Sequence, residues 1–217
     1  MHKRQETQLN LDLPVSYFLE SAPSAHRGLL VLHGFSDRAD STRKRMLGTE
    51  PVAGFHVLAP NGFFPSPVKV GPQFKEAYSW YFRDPYSGLQ IIPPEFAANA
   101  LLSLIAALRL DGLNWTILGF SQGGFLAPHL IRAGLDAKKI ITVGASFRAE
   151  AYAGLPPVAV HAIHGELDTD VAFEQAKDAF SEIQRLGYGK EFHALPGVAH
   201  TVDETGHLVT EIALHVF

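Results

Sequence analysis

Ser121 lies in Gly119-Phe120-Ser121-Gln122-Gly123, between the apolar run Trp115-Thr116-Ile117-Leu118 and the amphipathic stretch Phe125 to Arg132. A serine at the tip of a tight strand-to-helix turn has its hydroxyl lifted clear of the sheet edge. The helix that follows aims free N–H groups and the positive end of its dipole at the same spot. Flanking glycines relieve the crowding that so sharp a turn creates. Such a hydroxyl attacks a carbonyl carbon when a histidine takes its proton and a carboxylate fixes that histidine's tautomer.

Both partners are expected downstream, each just past an apolar run. The run Val158 to His164 leads into Gly165-Glu166-Leu167-Asp168-Thr169-Asp170-Val171, where Asp168 is the candidate acid. Asp170 and Glu166 are its rivals. Asp170 has an alternative role as N-cap of the next helix, and Glu166 leaves the turn one step early. Glu191 to Leu195 leads into Pro196-Gly197-Val198-Ala199-His200, which makes His200 the candidate base among 11 histidines. His33, His164 and His193, at strand ends or inside strands, read as packed histidines. The oxyanion of a tetrahedral intermediate needs two preorganised N–H donors. The backbone of Gln122 supplies one, and Phe35 in His33-Gly34-Phe35-Ser36-Asp37 is the candidate for the other.

Apolar runs alternate with helical patterns along the whole chain, which predicts a mostly parallel sheet covered on both faces. The strands are Gly28 to His33, Phe55 to Ala59, Trp115 to Phe120, Ile140 to Val143, Val158 to His164 and Glu191 to Leu195. Helices are expected over Glu95 to Arg109, Phe125 to Arg132, Val171 to Leu186 and Val202 to Val216, and an edge pair or hairpin over Gln8 to Leu19. Asn61 to Pro94 follows neither period. Its aromatics, among them Phe63, Phe64, Phe74, Tyr78, Trp80, Tyr81, Phe82 and Tyr86, suit either a substrate wall or the anchoring of a long loop.

Composition narrows the function classes. With 217 residues, 47% of them hydrophobic, the chain can bury a large core as one domain spanning 1–217. A net charge of −4 argues against a nucleic-acid surface. The basic run Arg43-Lys44-Arg45 reads as a solvated helix face or loop. The absence of cysteine removes thiolate metal sites and cysteine nucleophiles. No metal or nucleotide motif of the H-E-x-x-H, phosphate-loop or dinucleotide type is present, so no cofactor is expected. The polar Met1 to Asn10 carries no secretory pattern, and Phe96 to Leu110 is too short and too interrupted to span a bilayer. A cytoplasmic protein without stable membrane insertion is the expectation.

Four blocks agree in order: Leu32-His33-Gly34-Phe35, Gly119-Phe120-Ser121-Gln122-Gly123-Gly124, His164-Gly165-Glu166-Leu167-Asp168-Thr169-Asp170-Val171 and Gly197-Val198-Ala199-His200. Together they resemble the phospholipase/carboxylesterase family of small α/β-hydrolases, which includes acyl-protein thioesterases. The resemblance runs from about Gly28 to the carboxyl end. It implies an α/β-hydrolase fold without a separate cap domain, with Ser121 as nucleophile, Asp168 as acid and His200 as base. It also implies an oxyanion hole from the backbones of Phe35 and Gln122, and a small-molecule ester or thioester as substrate. Two departures stand out: Ser36 replaces a second glycine after the His-Gly pair, and the family's Trp-Phe-Asp element is stretched into Trp80-Tyr81-Phe82-Arg83-Asp84. Phe35, Phe63, Trp80 and Phe82 are the candidate lining of an apolar acyl site. The alternatives are a hydrolase-fold binding protein without turnover, and the same residues acting on lactones or peptides.

Overall fold

The computed structural model describes residues 14–84, 87, 89–203, 205, 208–209 and 211–212. The chain opens with β1 (Tyr17–Glu20), β2 (Arg27–Leu32), α1 (Ala39–Leu47) and β3 (His56–Pro60). An excursion follows, made of short strands: β4 (Phe64–Pro65), β5 (Val68–Val70), β6 (Gln73–Lys75), β7 (Tyr78–Ser79), β8 (Phe82–Arg83) and β9 (Gln90–Ile92). Then come α2 (Pro94–Ala107), β10 (Asn114–Phe120), α3 (Gln122–Arg132), β11 (Ala137–Val143), α4 (Ala149–Tyr152), β12 (Ala159–Gly165), α5 (Phe173–Arg185) and β13 (Gly189–Leu195).

Seven strands form one sheet in the order β1-β3-β2-β10-β11-β12-β13. Only β1 runs antiparallel to its neighbour, so the sheet is mostly parallel as expected. Inside the edges the strands are buried on both faces and alternate between two cores. Leu30, Leu32, Ile117, Ile140 and Val160 face one core with residues of α2, α3 and α5. Leu29, Val31, Leu118, Ile141 and Ile163 face the other, with Ala39 and Met46 of α1 and with Val209 and Ile212. Helices on both faces and the absence of a cap domain among the described residues match the expected architecture.

Three expectations are revised. The Asn61 to Pro94 region is not irregular: β4 pairs with β7, β5 with β6 and β8 with β9, all antiparallel. Pairs of two or three residues are too short to show a period in sequence. Arg43-Lys44-Arg45 is not a solvated face. Arg43 is buried, ion-paired with Glu20 of β1 and donating to Glu50 O at 2.8 Å, and Arg45 pairs with Asp37. Only Lys44 of the three is exposed. Val202 and Asp203 are not helical, while Leu208, Val209, Glu211 and Ile212 are, so the last helix starts later than its pattern suggested. The edge pair placed over Gln8 to Leu19 is met by β1 from Tyr17; Gln8 to Leu13, Tyr86 and the end of the last helix lie outside the described residues.

Candidate active site

Ser121 sits between β10 and α3 at φ 48°, ψ −114°, a conformation that costs a non-glycine residue about 1–3 kcal/mol. Its surroundings hold it there. Its N–H donates to Val143 O at 2.9 Å, and its carbonyl accepts from Phe125 N at 3.1 Å, so the strained residue is stitched to β11 and to the first turn of α3. The turn closes only because its flanks lack side chains. A Cβ on Gly119 would lie 2.5 Å from Gly123 C, and one on Gly123 would lie 2.4 Å from Leu32 O.

Asp168 follows β12 in a turn closed by Asp168 N donating to Gly165 O at 3.2 Å. It is buried, whereas Glu166 and Asp170 are exposed. Its Oδ1 accepts from Asp170 N at 3.0 Å and Val171 N at 2.8 Å, which locks the carboxylate in place. Asp170 is not the cap of α5; that position is Ala172, with no side-chain cap. Asp168 Oδ2 is 2.7 Å from His200 Nδ1, which leaves Nε2 of His200 for another partner. The His200 ring lies on Phe120, the residue before Ser121, with centroids 4.9 Å apart. A Cβ on Gly144 would lie 3.2 Å from the His200 ring and 3.4 Å from Asp168 Oδ2. Gly144 directly follows Val143, the acceptor for Ser121 N, so one strand end borders the backbone of Ser121 and the side chains of Asp168 and His200.

The loop after β2 comes up beside the serine. A Cβ on Gly34 would lie 3.6 Å from Ser121 Cβ. Among the described residues, neither Phe35 N–H nor Gln122 N–H has a hydrogen-bond acceptor. Ser36 adopts φ 51°, where a glycine is at ease, and is held by hydroxyls: its N–H donates to Ser79 Oγ at 3.2 Å and its Oγ lies 2.6 Å from Ser66 Oγ.

The carboxamide of Gln122 has a role that its sequence position did not reveal. Its Oε1 accepts from Trp80 N and its Nε2 donates to Tyr81 O, each at 2.9 Å. The excursion is thereby clipped to the residue after Ser121. His33 makes a second clip. Its Nδ1–H donates to Gly34 O at 2.7 Å, its Nε2 accepts from Gly62 N at 2.8 Å, and its ring stacks on Trp80. Burial, only partly offset by Gly34 and Asp37, lowers its pKa to about 4, which keeps the ring in the neutral form this bonding requires.

His164 was read as a packed histidine and is one, but it also touches the acid. Its Nε2–H donates to Val171 O at 2.8 Å and lies 3.2 Å from Asp168 Oδ2. Burial above all lowers its pKa, with His200 adding to the effect and Val171 and Asp168 opposing it.

A cleft of about 500 Å³ opens at Ser121, walled by the aromatic rings of Phe35, Tyr81, Phe125 and Phe147, with Arg83 and Arg148 at its polar side. Of the four proposed acyl-site residues only Phe35 lines it. Trp80 is fully buried, with its indole N–H donating to His33 O at 2.9 Å, and Phe63 is buried edge-on against it. Both anchor the excursion to the core instead. Phe82 stands behind Phe35, with ring centroids 6.0 Å apart. Tyr81 belongs to the aromatic region read as a substrate wall and does line the cleft, whereas Phe125 of α3 and Phe147 of the loop after β11 escaped the sequence reading because they come from distant parts of the chain.

No protein-family model matches the chain, and no curated protein matches it. Solved structures do. Esterase PE8 superimposes with a TM-score of 0.73 at 23% identity, covering 94% of this chain and 99% of its own. Acyl-protein thioesterase 2 of Zea mays gives 0.67 at 16%, covering 91% and 97%. SOBER1 of Arabidopsis thaliana gives 0.61 at 21%, covering 87% and 98%. The chain has the α/β-hydrolase fold, and the solved structures it is similar to include an esterase and an acyl-protein thioesterase.

Proposed function

We propose that the protein hydrolyses carboxylic esters, as a carboxylesterase with thioesters or lysophospholipids within its range, through an acyl-enzyme on Ser121. The observation that carries this reading is the 2.7 Å bond from His200 Nδ1 to a buried Asp168, in a strand-end cluster shared with a strained serine. His200 Nε2 takes the Ser121 proton as Oγ attacks the acyl carbon. The N–H groups of Phe35 and Gln122 hold the developing oxyanion. Collapse expels the alkoxide or thiolate, which leaves with the proton from His200. Water, deprotonated by the same imidazole, then adds to the acyl carbon; Ser121 departs with that proton and the acid is released.

Aromatic walls suit an apolar acyl arm, and the guanidinium of Arg148, in a lining that also holds Asp170, suits a polar group elsewhere on the substrate. The same geometry serves lactones and peptides, which differ only in how they fill the cleft. Aryl esters of graded acyl length, with and without a terminal carboxylate, test the reading. Hydrolysis that depends on acyl length and disappears in Ser121→Ala is expected. A parent protein inert toward every ester and thioester offered would point to a binding protein on a hydrolase fold.

A further inference from the structure

Away from the serine, three metal-ligating side chains meet on the outer edge of the sheet. His161 of β12 is in register with Glu191 of β13, and Ile163 with His193. Alternation along two paired strands puts His161, Glu191 and His193 on one face, the face that Ile163 shares with Val209 and Ile212. Glu191 Oε2 lies 3.6 Å from His161 Nδ1 and 3.3 Å from His193 Nε2, and the three donor atoms all lie within 4.8 Å of one another.

His161 is 5% exposed, yet among the described residues neither of its ring nitrogens has a hydrogen-bond partner, and Nε2 of His193 has none either. Buried imidazole nitrogens are ordinarily paired, so a ring left open on both sides and aimed at a carboxylate and a second imidazole needs an occupant. Lys139, on the same face of the neighbouring β11, donates to Ile212 O at 2.9 Å. The spacing fits a metal. With ligand bonds near 2.1 Å, neighbouring donors around a tetrahedral ion stand about 3.4 Å apart, which is close to the two distances to Glu191.

We propose that His161, Glu191 and His193 form a binding site for a divalent transition cation of the zinc class, clamping the edge strand β13 to β12. Two imidazoles and a carboxylate are the ligand types such an ion takes, and solvent supplies the fourth position because Glu191 and His193 reach the surface. The site was not legible as a motif. Its ligands are 30 residues apart on two strands, and Glu191-x-His193 acquires meaning only once the strand register brings His161 opposite.

The test uses the full chain stripped of metal with a chelator and titrated with Zn²⁺ by calorimetry and with Co²⁺ by visible ligand-field spectra. One equivalent should bind and raise the melting temperature. Glu191→Gln and His193→Ala, both at partly exposed positions that the core does not depend on, should each weaken binding by about a hundredfold or more. His200→Ala should bind as the parent does. No saturable equivalent in the parent, unchanged binding in both edge variants, or loss of binding in His200→Ala alone would each overturn the proposal.

Discussion

The turn around Ser121 and the excursion between β3 and α2 border the same cleft, but they are held by different forces. At the turn, backbone meets backbone: Gly119 against Gly123, Gly123 against Leu32, and Ser121 N on Val143 O. The excursion has little such contact with the sheet. It is held instead by side chains, the buried rings of Phe63, Trp80 and Tyr81 and a few polar bonds, between Gln122 and both Trp80 and Tyr81 and between His33 and Gly62, together with the backbone pair Asp37–Tyr78. Its outer hairpin is open to solvent, with Phe74 70% exposed. A part fixed by steric closure has one conformation or none, whereas a part fixed by a few clips loses its order one bond at a time.

That contrast orders the expected effects. Asp168→Asn leaves the fold intact but presents His200 with the wrong partner, and a loss of about 10⁴ in kcat is expected from steady-state ester kinetics. Gly123→Ala forces a methyl into the Leu32 carbonyl, and denaturant unfolding should show a loss of about 3 kcal/mol or outright failure to fold.

His33 gives a pH test of the clip. Its folded pKa, about 4, is below the ordinary 6.5, so the stability it confers is complete above pH 6.5 and is lost as pH falls toward 4. The loss should reach about 3 kcal/mol, and the lowered His129, His161 and His164 act in the same direction. Imidazole NMR titration checks the assignment, since a His33 that titrates near its ordinary value would remove it as a buried clip. Gln122→Ala should cost least, about 2 kcal/mol for two hydrogen bonds. Faster amide exchange should be confined to the segment around Trp80 and Tyr81. Exchange that quickens equally around Ser121 would mean that the turn and the excursion are one unit, against the contrast drawn above.

The same division explains what was legible in the sequence. Gly119, Gly123, Asp168 and His200 are local signals, each attached to an apolar run whose period names a strand, and the structure brings Asp168 and His200 to the strand end that also holds Ser121. The excursion's order comes from long-range bonds between residues of unremarkable type. Gln122 looked useful only for its backbone, and Trp80 looked like a wall because nothing in its neighbours shows that His33 O and Phe63 enclose it. Arg43 misled for the same reason, since its partner Glu20 is on a different strand.

The central claim is that Ser121 is an activated nucleophile. A fluorophosphonate probe, followed by intact mass and peptide mapping, addresses it without knowledge of the substrate. One adduct on Ser121 is expected in the parent and none in Ser121→Ala. A folded parent that takes up no probe, or equal labelling of the two proteins, would contradict the account.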